Sequence, residues 1–332
     1  LRRAEEHHLA AAAAVAILAA VANEAAERAG QPVPECWTVA ESEDNPDWQA
    51  AELVASHHDL VHHQHLLEEE AFDRRLPQLA WHGEDADVTV MFFHPLFEHM
   101  AKHVKVGLCG QGADELHAGY PRYGQLQQHG KELNRRMDAL PEWLRKTLLN
   151  GALRTEEGWY RPSHDPNAIT NDLETMLNFE LEHGQLSNFQ LRLVDRHSMA
   201  HSLEVRVPFL GKTHREASYA LPNDWKRTDG REEKAALRQA ADLTRLPKEI
   251  VRRPKLPAGR ATSPTLLQRF LHERRSQTEE LLEHYRPWSA VLQGQEELAL
   301  GLALFEALHL SKDGHQRVKK SIDTLITEVI SP

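Results

Sequence analysis

Residues 9–28 are almost entirely Ala, Leu, Ile, Val, Asn and Glu up to Arg28, all compatible with helix, and Gly30 followed by Pro32 stops them. Cys36-Trp37-Thr38-Val39-Ala40 is a short β-favouring run, and the turn-rich Asp44-Asn45-Pro46-Asp47 follows it. Trp48, Ala51, Leu53, Val54 and Ala55 then fall at helical spacing, a second helical pattern covers about 68–80, and apolar residues fill 92–100. Lys105-Val106-Gly107-Leu108-Cys109 is a five-residue run ending in Gly110-Gln111-Gly112, which reads as a buried strand delivering a glycine turn at its C-terminal end. Helix, strand, helix, strand is an α/β order, and open parallel sheets bind ligands beyond the carboxyl ends of their strands. From about Gln125 onward the pattern is chiefly helical, punctuated by prolines between Pro141 and Pro264.

With 332 residues, 41% hydrophobic and 27% charged, the chain can bury a core large enough for one big α/β domain or two smaller ones. No apolar run reaches the roughly 18 residues of a membrane helix, and no export segment is visible, so the expectation is a cytoplasmic protein with no membrane partner. Cys36 and Cys109 form no CxxC and no disulfide framework, in keeping with a reducing compartment. A formal charge of −11 speaks against nucleic acid as a partner and leaves a small molecule or a protein. The 22 histidines, above all His57, His58, His62, His63 and His65, invite a metal reading, but neither cysteines nor an HExxH accompany them. Solvated or capping histidines are the plain alternative.

The glycine turn carries the first candidate chemistry. Gly110 and Gly112 let backbone approach a ligand closely, and Asp114 and Glu115 place carboxylates directly after them, as a magnesium–nucleotide site requires. Taken alone, the segment is equally an ordinary strand-to-helix connection with Asp114 as a cap. The whole stretch Cys109-Gly110-Gln111-Gly112-Ala113-Asp114-Glu115-Leu116-His117-Ala118-Gly119-Tyr120 resembles the S-G-E/Q-G-A-D-E-L-F-G/A-G-Y motif of the asparagine synthetase family. Further on, Asp195-Arg196-His197-Ser198-Met199 and Leu203-Glu204-Val205-Arg206-Val207-Pro208-Phe209-Leu210 resemble its D-R-x-S-M and L-E-x-R-V-P-F-L-D. Lys234-Ala235-Ala236-Leu237-Arg238, continuing through Leu246-Pro247 to Arg253-Pro254-Lys255, resembles its lysine-bearing C-terminal signature.

The resemblance implies an adenine-nucleotide-hydrolase-like parallel sheet flanked by helices over residues 1–130, and a mainly helical remainder, 131–332, closing the cleft. It implies ATP and magnesium as cofactors, and a ligase that activates a carboxylate as an acyl-adenylate before ammonia or another amine displaces AMP. By the same resemblance Asp114 holds magnesium, Lys255 contacts the departing pyrophosphate with Lys234 in support, and Asp195 and Gln111 line the acyl and amine site. Leu9, Val39, Cys109, Gly110 and Gly112 would border the nucleotide. The carboxylate would be aspartate or a biosynthetic intermediate.

The chain also departs from the family. Members open this domain with L-S-G-G-x-D-S, whose amides and serines cradle pyrophosphate. Counting back from Thr38 sets Leu9 on the leading leucine and Ala10-Ala11-Ala12-Ala13-Ala14-Val15 on the rest, so the cradle loses its hydroxyls, carboxylate and glycines while keeping its length. Such alanines favour continued helix over a loop. A natural pseudo-enzyme, an engineered silencing, or alanine standing in for other side chains would each produce this block. The alternative function is therefore a catalytically silent pseudo-synthetase acting as scaffold or regulator. Cys109 replaces the usual serine, His117 an aromatic, and Gly211 an aspartate. The cysteine-led glutaminase half has no counterpart in these residues, so the nucleophile would be free ammonia, another amine, or ammonia from a separate glutaminase subunit or a missing N-terminal segment; a homo-oligomer is a further expected partner.

Overall fold

The β-favouring run after the first helix is strand β1 (Cys36–Ala40), which pairs in parallel with β2 (His62–Leu66), Cys36 opposite His62 and Ala40 opposite Leu66. Helix α2 (Pro46–His57) makes the crossover that parallel pairing needs. Its start is written locally: the Asn45 side chain accepts from the Asp47 and Trp48 amides at 2.8 and 3.2 Å, and Pro46 occupies the first turn, where a missing N–H costs nothing. The computed structural model describes residues 12–89, 93–151, 162–228, 232–254 and 264–331. Within them α1 (Ala12–Ala29) confirms that the alanine block runs on as helix, at least from Ala12.

The run at 105–109 forms β3 (Val106–Leu108), though Val106 and Leu108 are exposed and not buried as expected, and its parallel partner is β4 (Glu204–Arg206), inside the Leu-Glu-Val-Arg-Val-Pro block of a region read as helical. Among the described residues these are two separate two-stranded parallel sheets, not one continuous sheet. The fold is thus α/β, with small parallel sheets in a chiefly helical chain.

By contact the chain divides into two compact units. One takes the residues up to Gly110, Leu193–Pro208 and the chain from Ala241 on; the other takes Gln111–Arg192 and Phe209–Ala240. In the first, α1 and α2 bury Ala16, Ala20, Ala50 and Val54 with Ile250 and Val251, while α3 (Glu69–Gly83) packs Leu76, Leu79 and Ala80 on Leu300, Leu304, Leu325 and Ile326. Residues beyond 260, unreadable as chemistry, therefore supply the apolar wall for α3. In the second unit Ala118, Tyr120, Tyr123, Met176 and Leu177 form the core under the glycine-turn motif. No helix among the described residues is long and apolar enough to cross a membrane.

Candidate active site

Strand β3 delivers Cys109, whose amide donates to the Arg206 carbonyl at 2.9 Å and extends the ladder to the edge of the turn. A Cβ on Gly110 would lie 3.1 Å from Val15 Cγ2 and 3.3 Å from Ala14 Cβ, tighter than ordinary packing, so a glycine is what lets α1 approach the turn here. The residues aligned with the family's phosphate cradle thus meet the expected nucleotide turn as apolar packing. Val39 is buried at the C-terminal half of β1, and the Cys109 thiol is half-buried. Leu9 and Lys255 lie outside the described residues.

In the second unit Gly112 sits at φ 88, and a Cβ there would strike Leu210 Cδ2 at 2.3 Å, so glycine is required twice over before the short helix α5 (Ala113–Leu116). Helix α5 turns Asp114 inward, where its Oδ1 lies 2.8 Å from Lys234 Nζ, with the two side chains only 6% and 5% exposed. Lys234 is held at φ 57, uncommon for a lysine; its amide donates to the His117 carbonyl at 3.1 Å, and its own carbonyl accepts from the Arg238 amide at 2.8 Å. A Cβ on Gly119 would overlap Asp114 Oδ1 at 2.0 Å and Lys234 Cε at 2.3 Å. Two motif blocks far apart in sequence are thereby explained as one buried ion pair and the glycine that makes room for it.

Glu115, next in the motif, is fully buried, and its Oε1 has no hydrogen-bond partner among the described residues. Burial first, then the charges of Asp114 and Glu180, push its carboxyl up to about 7. Glu180 is itself committed to Arg122 at 2.9 Å, and the guanidinium lies 4.1 Å over the Tyr120 ring, whose hydroxyl accepts from Gln190 Nε2 at 2.9 Å. His117, the motif's replaced aromatic, faces His214 with its Nε2 2.9 Å from the other Nε2. Burial, then His214, pushes His117 down to about 3, so the pair is neutral and one ring donates to the other. Sequence reading noted Glu115 only as a companion to Asp114; what it lacked was burial, which turns an ordinary carboxylate into one poised near neutrality.

Gln111 is buried on the same turn as Gly112 and Asp114. Asp195 is exposed on the helix Leu191–Met199, in the other unit, where its backbone carbonyl accepts from Ser198 Oγ at 3.1 Å. Of the expected residues, then, Asp114 and Lys234 meet directly.

The asparagine synthase family model matches residues 14–303, a stretch that takes in all of the second unit and most of the first. The chain belongs to the asparagine synthase family. It is 26% identical over 237 residues to asparagine synthetase [glutamine-hydrolyzing] 1 of Bacillus subtilis, an alignment covering 58% of this chain and 36% of that protein. Against the asparagine synthetase [glutamine-hydrolyzing] of Bos taurus the identity is 28% over 222 residues, covering 64% and 32% respectively. A putative asparagine synthetase of Mycobacterium bovis is 30% identical over 232 residues, 58% of this chain and 35% of its own length. The chain therefore spans about a third of the length of these relatives.

Magnesium takes hard oxygen ligands. Of the two aspartates that the resemblance assigns to magnesium, Asp114 is present but ion-paired with Lys234, and the position it gives the other is Ala14, whose side chain has no oxygen to give. As they stand, the described residues do not fit a magnesium ion, and Ala14 and Val15 offer the phosphates of ATP no side-chain donor.

Proposed function

We propose that this chain is built as an ATP-dependent carbon–nitrogen ligase, one that activates a small carboxylic acid as an acyl-adenylate and yields an amide, AMP and pyrophosphate on attack by ammonia or another amine. The observation that supports it is the Asp114–Lys234 pair: two signature blocks, both inside the family match, converge on one buried, charged contact that a merely inherited surface motif would not keep. The two parallel strand pairs, with the glycine turn at the carboxyl end of β3, support reading the α/β part as adenine-nucleotide-hydrolase-like. Gln111 and Asp195 are the side chains assigned to the acyl and amine groups, and aspartate is the first acid to try. Ammonia would arrive free or from a glutaminase.

A second reading has its own observation. Ala14 and Val15 pack against Gly110 where a phosphate cradle is expected, which favours a catalytically silent scaffold or regulatory partner. Pyrophosphate and AMP release, measured with a panel of carboxylic acids, tests both. Release from the unaltered chain removes the silent reading. No release even after Ala14→Asp and its neighbouring loop substitutions removes the ligase.

A further inference from the structure

Away from the glycine turn, and within the first unit alone, strand β2 and the end of α4 (Phe93–Ala101) bring three imidazoles together. His63 on β2 and His99 and His103 at and just past the end of α4 each present a ring nitrogen, all within 4.8 Å of one another. The His63 and His103 ring centroids are 4.8 Å apart and those of His99 and His103 5.5 Å. The His63 ring is held from two sides: it stacks on Trp37 at 4.8 Å with 12° between planes, and its Nε2 lies 2.7 Å from Glu35 Oε2.

We propose that His63, His99 and His103 form a binding site for a transition-metal dication of the zinc class, clipping strand β2 to the end of α4. Three imidazole nitrogens without thiolate suit zinc, nickel or copper, whereas magnesium and calcium demand hard oxygens. His99 and His103 are four residues apart, the spacing that sets two ligands on one side of a helical turn. The third comes from the parallel register that sets His63 beside Trp37. Glu35 on Nε2 leaves Nδ1 of His63 to coordinate, the carboxylate–imidazole arrangement that fixes a ligand's orientation. A tetrahedral zinc with Zn–N of about 2.0–2.1 Å spaces its nitrogens about 3.3–3.4 Å apart, so the cluster needs a modest inward rotation of its rings. His103 is exposed, which gives it room to turn and leaves a fourth position open to water. The site shares no residue with the proposed ligase machinery and stands or falls apart from it.

The test is calorimetric titration of the full chain, stripped with EDTA, with zinc chloride in a non-coordinating buffer. Binding of one zinc per chain is expected, with His103→Ala weakening it at least about tenfold and Glu35→Gln by about 10–100-fold. Zinc should also raise the melting temperature of the parent chain and not that of His103→Ala, whose exposed position keeps the fold intact without metal. A double variant, His57→Ala with His315→Ala, removes two exposed imidazoles outside the cluster and should bind zinc as the parent does. Absence of a one-to-one isotherm, parent-like binding by His103→Ala, or loss of binding in the double variant would each overturn the proposal.

Discussion

Asp114 and Lys234 show how a buried charge is made tolerable. The pair lies 2.8 Å apart at about one-twentieth exposure, so neither charge is left to the protein interior alone. Removing one partner strands the other, which costs about 3–5 kcal/mol, whereas removing both costs less than the sum. Urea denaturation of Lys234→Met, Asp114→Leu and the double variant should therefore show strongly non-additive losses; additivity would mean the two charges are independently solvated. Gly119→Ala drives a methyl into the same pair and should destabilise by about 1–3 kcal/mol, as overpacking does. Glu115 adds a pH signature. Its folded carboxyl, near 7, lies above the ordinary glutamate value of about 4.5, so between those limits only the folded state keeps the proton and stability falls as pH rises, by at most about 1.4 kcal/mol per unit. Denaturation midpoints of Glu115→Gln, followed from pH 5 to 8, should lack that slope.

Elements differ in how much of themselves they write locally. Helix α2 was legible because Asn45, Pro46 and the spacing of its apolar residues agree, and β1 because Trp37, Thr38 and Val39 favour extended backbone. Strand β2 was not: His-His-Gln-His-Leu has neither β-branched residues nor clean alternation, and its backbone becomes a strand only because β1 offers a ladder. Strand β4 failed to show for a similar reason, its partner β3 being remote in sequence. At the site, the motif residues were legible through their resemblance, but the pairing of Asp114 with Lys234, the reason for Gly119 and the burial of Glu115 are tertiary facts. Other histidines gave no sign in the sequence of where they would lie. On α4, His94 is 2% exposed, its ring 4.3 Å from that of His201 and flanked by His82 and His197. Burial, then His201, His197, His82 and the charge of Arg75, pushes His94 down to about 2, and burial, then His82 and His201, takes His197 to about 3. Both stay neutral in the fold but titrate near 6.5 when unfolded, so stability present above pH 6.5 is lost as pH falls below it. His94→Leu should flatten that acid slope between pH 5 and 6.5 by up to about 1.4 kcal/mol per unit in urea titrations, opposite in sign to the effect of Glu115→Gln.

At the scale of the whole molecule, the family match reaches both compact units, and the residues that the resemblance sets on the family's first loop are helical from Ala12 on. That difference decides between a ligase and a silent relative. Restoring the loop as Ala10→Ser, Ala11→Gly, Ala12→Gly, Ala14→Asp and Val15→Ser should shorten α1 at its start, since glycine in place of Ala12 disfavours helix by about 1 kcal/mol relative to alanine. It also takes Val15 Cγ2 away from Gly110 and returns to position 14 the carboxylate that the family's loop carries. Amides and hydroxyls aimed at developing phosphate charge are worth about 100–1,000-fold each in rate, so the restored chain should exceed the parent in pyrophosphate release by at least about 100-fold. Its KM for ATP should fall between about 1 μM and 1 mM. Lys255→Ala in that restored background should lower kcat more than it raises KM, because a cation aimed at a leaving pyrophosphate acts on charge that grows in the transition state. Should the restored chain release pyrophosphate no faster than the parent with aspartate or any other acid tried, the Asp114–Lys234 pair would be a structural strut, and the family frame would serve here as a scaffold.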